Sequence, residues 1–195
     1  MTSVTVLPCD DVPPAERIWT IVVGGGSGRR FGTPKQYEMI GSTRVIDRSV
    51  AVARSVSDGV VIVAPPQDAA REGAVAGGAT RSDSVRAGLA AVPEDATIIV
   101  VHDAARPLAS VELYRRAIDA VHSGADAAIP GIPVTDTIKV VADGVVVSTP
   151  DRSALVAVQT PQAFRAGVLR AAHEAGGDAE GVEDHDSLQR DRVGQ

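Results

Sequence analysis

The residues best suited to chemistry lie between Gly24 and Lys35. The segment Gly24-Gly25-Gly26-Ser27-Gly28-Arg29-Arg30-Phe31-Gly32-Thr33-Pro34-Lys35 follows an apolar run from Ile18 to Val23. Glycines let a backbone come close to a phosphate and aim its N–H groups at the oxygens. A Rossmann fingerprint would need Gly where Arg29 or Phe31 stands, and a P-loop would need Gly-Lys-Ser/Thr; neither spacing is present. What remains is a glycine turn, then Arg30, then Pro34-Lys35. A solvated surface loop is the bland reading, but two cations after such a turn favour a polyphosphate. Lysine usage sharpens this, because 17 of the 19 basic residues are arginines and the lysines are Lys35 and Lys139 alone. Lys35 in so arginine-rich a chain points to a need for a compact ammonium charge.

A second constellation, His102-Asp103-Ala104-Ala105-Arg106-Pro107, follows another apolar run, Thr97 to Val101. One carboxylate suffices for Mg²⁺ when phosphates supply most of its ligands. Asp103 can equally cap a turn or pair with Arg106. His102 has no second His or Cys at a ligand spacing and reads as structural. Thr80 or Ser82 reads as a helix cap, and Asp136 with Lys139 as a solvated cross-strand pair.

The elements that must position these groups alternate. Strands are predicted over Ile18 to Val23, Gly59 to Ala64 (stopped by Pro65-Pro66), Thr97 to Val101 and Ala127 to Ile132. Between them, helical spacing places Val45, Ile46, Val50, Ala53 and Val56 on one face, Val85, Leu89 and Val92 on another, and Leu113, Ala117, Ile118 and Val121 on a third. Continuous β-branched runs mark a parallel sheet covered on both faces. The order strand-helix-strand, repeated, gives an α/β fold with a doubly wound, mostly parallel sheet. Its loops after the strands are the expected ligand edge. Past Pro133 the rhythm breaks: Thr137 to Ala142 and Val145 to Thr149 flank Asp143-Gly144, a strong hairpin signal. A β-hairpin arm at about 134–152 is the expectation, followed by a turn at Thr160-Pro161-Gln162 and a helix over Arg165 to Ala175. Residues 1–16 read as a flexible tail and 17–195 as one domain.

Composition narrows the partners. The 195 residues are 44% hydrophobic and 23% charged, proportions of a folded protein. A net charge of -6 and 3% aromatics argue against a nucleic-acid polymer, which needs a basic face and stacking platforms. The single Cys9 cannot form an internal disulfide, and no apolar stretch approaches the ~20 residues that span a bilayer. The expectation is a cytoplasmic protein without a membrane partner.

The pattern G-G-G-x-G-x-R-F…P-K-Q-Y resembles the signature of sugar-phosphate nucleotidyltransferases. After it come Gly77-Gly78-x-x-Arg81-x-x-Ser84-Val85, Val101-His102-Asp103-Ala104-Ala105-Arg106-Pro107, Asp136-Thr137-Ile138-Lys139, Asp151-Arg152 and Gln159-Thr160-Pro161-Gln162. In that order, over about Ile18 to Phe164, the series is similar to the 2-C-methyl-D-erythritol 4-phosphate cytidylyltransferase family. The resemblance implies a Rossmann-like nucleotidyltransferase fold and CMP transfer from CTP with Mg²⁺. By the same resemblance Arg30, Lys35 and Arg152 are catalytic, and Arg29 matches a variable, solvated position. Gly24, Gly25, Gly26, Gly28, Gly78, Ser84, Asp103 and Ala104 hold the nucleotide, with Asp103 toward the metal. Arg106, Thr137 and Arg152 hold the phosphate of the acceptor, and a homodimer forms through the hairpin arm.

The chain departs from the family pattern near its end. Glu183 stands at a threonine position, and a family lysine that contacts the acceptor phosphate has no counterpart before Gln195. The expectation is a chain shortened where the acceptor site is completed. Ribitol 5-phosphate as the acceptor, and a non-catalytic CTP-binding homologue, stand as the alternatives.

Overall fold

Strands with apolar residues on both faces force helices onto both sides of one sheet. The computed structural model describes residues 16–25 and 34–175. The chain runs through β1 (Ile18–Val23), a 3-10 turn (Lys35–Tyr37), β2 (Met39–Ile40), β3 (Thr43–Arg44), α1 (Val45–Arg54), β4 (Gly59–Ala64), α2 (Pro66–Glu72), β5 (Val75–Ala76) and α3 (Arg81–Leu89). Then come β6 (Ile98–Asp103), α4 (Val111–His122), β7 (Ala127–Ala128), β8 (Gly131–Pro133), β9 (Val140–Ala142), β10 (Val145–Ser148), a second 3-10 turn (Arg152–Ala154), β11 (Val156–Val158), β12 (Gln162–Arg165) and α5 (Ala166–Ala175). The main sheet has the order β5-β4-β1-β6-β12-β7. Its pairs are parallel except that β12 runs against both β6 and β7.

Successive side chains of one strand serve opposite cores, as the two-residue period requires. Ile21, Ile99 and Val101 pack with Val85 and Leu89 of α3 and Leu169 of α5. Their neighbours Val22, Ile98 and Val100 pack with Ile46 and Val50 of α1 and Ile118 and Val121 of α4. Local signals set the helix starts. Thr80 caps α3 by accepting from Asp83 N–H, and the Asp83 carboxylate accepts from Thr80 N–H in return. Ser110 caps α4 by accepting from Leu113 N–H. Among the described residues no helix is long and apolar enough to cross a membrane.

The expected strand over Ala127 to Ile132 is in fact two. β7 joins the main sheet, while β8 pairs with β11 in a separate antiparallel ribbon. Pro130 has no N–H to continue a ladder, so the chain changes sheets there. The turn at Thr160-Pro161-Gln162 contains a cis peptide, and it leads into β12 rather than directly into a helix. Pro65-Pro66 ends β4 as expected, but Pro66 also starts α2, where the missing N–H costs nothing. On α4 the fully buried large side chain is Tyr114, not Leu113, which is half-buried. The hairpin β9–β10 turns at Asp143 (φ 50°) and Gly144 (φ 77°), the two left-handed positions of a type I′ turn. The expected tail over 1–16 lies outside the described residues apart from Glu16, whose carboxylate meets His122 Nδ1 at 2.7 Å. The segment 176–195, including Glu183, also lies outside them.

Phe164, fully buried on β12, packs in the core that faces α3 and α5. Phe164→Ala should cost about 3–5 kcal/mol. Urea unfolding followed by circular dichroism measures this, and a loss below about 1 kcal/mol would contradict the packing described.

Candidate active site

The carboxyl ends of β1, β4 and β6 deliver the chain to one place. β1 and β6 pair in register from Ile18 with Ile98 to Val23 with Asp103. Beyond that last pair, Gly24 N–H donates to Val63 O at 2.7 Å and Ala104 N–H donates to Val23 O at 2.9 Å. The first turn of α3 closes the other side. Ser84 Oγ donates to Thr80 O at 3.0 Å and accepts from Gly78 N–H at 3.2 Å. A Cβ placed on Gly25 would sit 2.8 Å from that same Oγ, so the glycine turn presses directly on Ser84. Gly24, Gly25, Gly78, Ser84, Asp103 and Ala104 are thus brought together. Open α/β sheets bind ligands at this edge, where strand order reverses.

Asp103 is the electrostatic centre of the group. Arg81 Nε lies 3.2 Å from its Oδ1, and Arg106 Nε lies 3.2 Å from its Oδ2. Arg106 also donates through Nη1 to Gln159 Oε1. The Asp103 N–H donates to Thr160 Oγ1 at 3.2 Å, and that hydroxyl lies 3.1 Å from His102 Nδ1. On the opposite flank, buried Ser49 of α1 donates to Ala104 O at 2.9 Å. Beside the group, Arg106, Leu108, Ile132, Gln159 and Thr160 line a cleft of about 480 Å³. The pairing of Asp103 with Arg106 was legible from their spacing. Ser49 and the Arg81–Asp103 pair were not, since their partners are 55 and 22 residues away.

The other expected site residues fall elsewhere. Lys35 opens the 3-10 turn, exposed, with Gln36 buried behind it. Gly26, Gly28, Arg29 and Arg30 lie outside the described residues. Thr137 stands in the segment between β8 and β9, and Arg152 begins the second 3-10 turn. The Arg152 guanidinium donates to Thr135 O at 2.9 Å, tying the second 3-10 turn to the segment that follows β8. The cross-strand pair expected of Asp136 and Lys139 does not form: Lys139 Nζ donates to Thr149 Oγ1 at 2.8 Å instead. Among the described residues no cluster of three or more His, Cys, Asp or Glu groups could hold a metal by itself.

A family model described as "IspD: 2-C-methyl-D-erythritol 4-phosphate cytidylyltransferase" matches residues 18–194. The chain belongs to the IspD family. The match runs beyond Phe164, where the resemblance read from motifs ended, and takes in the segment around Glu183. A 2-C-methyl-D-erythritol 4-phosphate cytidylyltransferase of Nocardia farcinica is 43% identical over 172 residues, 80% of this chain and 74% of that protein. A bifunctional enzyme IspD/IspF of Nitratidesulfovibrio vulgaris is 41% identical over 182 residues, covering 81% of this chain. The chain spans just under half, 46%, of that bifunctional relative. Among solved structures, the 4-diphosphocytidyl-2C-methyl-D-erythritol synthase of Anaerococcus prevotii superposes with a TM-score of 0.77 at 26% identity, over 89% of this chain and 83% of that one. The 2-C-methyl-D-erythritol 4-phosphate cytidylyltransferase of Thermus thermophilus gives 0.71 at 29% identity, over 87% and 82%. The doubly wound sheet is therefore the fold of this IspD family.

His102, expected to be structural from its isolation in the sequence, has the Thr160 hydroxyl beside its Nδ1. It is fully buried, and burial pushes its imidazole down to about 4, with the neighbouring Asp103 charge opposing. The unfolded chain therefore takes up this proton first as pH falls. The group's contribution to stability is complete above about pH 6.5 and declines toward pH 4, at about 1.4 kcal/mol per unit. Urea unfolding at pH 7 and pH 5 should show a shallower loss in His102→Leu than in the wild type; equal slopes would contradict this.

Proposed function

We propose that this chain is a cytidylyltransferase that transfers CMP from CTP to 2-C-methyl-D-erythritol 4-phosphate and releases pyrophosphate. The observation that carries the reading is the convergence of the glycine turn, Ser84 and Asp103 at the carboxyl edge of a sheet of the IspD family. The Nocardia farcinica and Thermus thermophilus relatives are both named 2-C-methyl-D-erythritol 4-phosphate cytidylyltransferase, which supports this reading. A CTP-dependent activity also supports a cytoplasmic setting.

In the reaction a phosphate oxygen of the acceptor attacks the α-phosphorus of CTP. A P–O bond forms to the acceptor, the bond to the β-phosphate oxygen breaks, and its electrons leave with pyrophosphate. Positioning and charge stabilisation are most of what such a step asks of a protein. The backbone of Gly24 and Gly25, with Gly26 and Gly28 next in sequence, approaches the phosphates. Gly78, Ser84 and Ala104 frame the nucleotide. Lys35 and Arg30 answer the charge that grows on the transferring phosphoryl and leaving oxygens. Arg106, Thr137 and Arg152 hold the acceptor phosphate.

The chemistry of the donor set fits a shared Mg²⁺. Asp103 supplies one partly exposed carboxylate, and Mg²⁺ commonly keeps phosphate and water oxygens as its remaining ligands. Asp103 would hold the ion, which would supply charge neutralisation on the phosphates. Both carboxylate oxygens already face guanidiniums, so Arg81 or Arg106 must yield one of them.

Pyrophosphate release should follow mixing with CTP, Mg²⁺ and 2-C-methyl-D-erythritol 4-phosphate. Turnover with ribitol 5-phosphate alone would reassign the acceptor, and CTP binding without turnover would make this a non-catalytic homologue. Lys35→Ala should lower kcat by roughly 10²–10³-fold with the unfolding midpoint unchanged, and undiminished turnover would remove Lys35 from its role.

Thr137 and Arg152 flank the hairpin β9–β10, whose exposed apolar side chains include Val141 (55%), Val145 (64%) and Val147 (58%). Exposed apolar side chains gathered on one hairpin mark an association face. We infer that two copies pair through this hairpin, so that the arm of each completes the acceptor site of the other. Sedimentation should give a dimer, and Val147→Asp should give a monomer with a raised KM for the acceptor. A monomeric wild type with full activity would overturn the pairing.

A further inference from the structure

A cluster of charges around Tyr37 has no part in the chemistry above. Arg44 grips Asp47 of α1 with two bonds, Nε to Oδ2 and Nη2 to Oδ1, both 2.8 Å. Its remaining nitrogen, Nη1, lies 3.1 and 3.0 Å from the two oxygens of Glu72 on α2. Arg71 in turn lies 3.0 Å from both Asp68 and Glu72. Glu72, 7% exposed at its side chain, therefore joins both arginines, and the cluster ties the start of α1 to α2. The Tyr37 ring lies against these guanidiniums, 5.0 Å from the Arg71 carbon and 5.9 Å from that of Arg44.

Tyr37 is the last residue of the 3-10 turn that Lys35 begins. Within the turn, Tyr37 N–H donates to Pro34 O at 3.0 Å and Glu38 N–H to Lys35 O at 3.2 Å. Glu38 O then accepts from Val45 N–H, the first residue of α1, at 2.9 Å. The turn is thus fixed at its end by backbone bonds and by one aromatic ring on two cations. A guanidinium held by carboxylates is a stationary surface for that ring, whereas a solvated one is not.

We propose that Tyr37, seated on the carboxylate-fixed Arg71 and Arg44, is a positioning residue that holds the backbone of Lys35 in place for phosphoryl transfer. The inference rests on the catalytic reading of Lys35. Each exposed ring–cation contact corresponds to roughly twofold to fivefold in an opening equilibrium, and two together to roughly tenfold.

The two lysines of the chain provide the test, because a lysine-specific protease can cut only after Lys35 and Lys139. Tyr37→Leu should raise cleavage after Lys35, relative to Lys139, by roughly tenfold. Its kcat should fall in step with the closed fraction of the turn, by up to about tenfold where the open form becomes the major one, while KM for CTP changes less than about twofold. Tyr37→Phe, which keeps the ring, should restore both values. Arg71→Met, on the exposed face of α2, should reproduce part of the effect and serves if Tyr37→Leu does not fold. An unchanged cleavage ratio in both variants, or equal behaviour of Leu and Phe at position 37, overturns the positioning role whatever the turnover does. Unchanged kcat in Tyr37→Leu, where Lys35→Ala loses turnover, overturns the positioning role, whereas unchanged kcat in Lys35→Ala itself overturns the catalytic reading of Lys35 on which it rests.

Discussion

Parallel pairing of β1 with β6, in register to Val23 and Asp103, is the constraint on which the rest of the site depends. Because the two strands end at the same level, the glycine turn and the Asp103 turn leave the sheet side by side. Ala104 N–H continues the ladder one step by donating to Val23 O, and Gly24 N–H does so on the other side toward β4. A slip of one residue would send Asp103 to the other level and exchange the apolar sets that face the two helix layers. Val100 and Val101, adjacent in sequence, belong to opposite cores, so such a slip would cost both at once.

On that frame the charges are arranged to be mutually dependent. Asp103 alone would be a carboxylate at a partly dry edge; two guanidiniums and the bond from its own N–H to Thr160 define its orientation. Thr160 reaches it from a distant part of the chain because β12 pairs antiparallel with β6, placing Gln162 opposite Val101. The late strand is therefore part of the site as well as of the core. Ser49 ties α1 to Ala104 O in the same way, so both helix layers and both halves of the chain contribute a hydrogen bond to the Asp103 turn.

The parts legible in the sequence are those with local causes. Ile18–Val23 and Gly59–Ala64 stand as read because unbroken apolar runs bounded by glycine or proline leave little choice. Val85 and Leu89 are buried on α3, as their spacing requires, while Val92, past the end of that helix at Leu89, is buried in the turn that follows. The misses have a different origin. Gln162–Arg165 carries too few apolar residues to announce a strand, and it becomes one because β6 and β7 leave a gap for it. Pro130 splits a run that reads as continuous, and its effect depends on where β11 lies. Among the candidate site residues, the glycines and Asp103 stand out by type and spacing. Arg81 stands in the quoted family motif, but its partner is hidden until β6 brings Asp103 within 3.2 Å.

The arginine bias of the chain has a physical basis in what the described arginines do. Arg44 bridges two carboxylates from two helices, and Arg170 donates to the carbonyls of Leu89, Val92 and Pro93 at the end of α3. Arg106 spans Asp103 and Gln159. Each task needs several donors in a fixed plane, which an ammonium cannot supply. Arg44 and Arg170 are thereby committed to structure, their charge largely answered by carboxylates or carbonyl dipoles, whereas Arg106 stands at the candidate site. That is how a chain of net charge -6 can carry a phosphate-directed edge: the balance is set locally, residue by residue, rather than by the total. Lys35, at the head of a short turn and one of two lysines, is under the proposed reaction a charge of a different kind. A point charge on a flexible stem can follow a phosphoryl group between bond making and bond breaking, whereas a fork locked to carboxylates stays where the fold has put it.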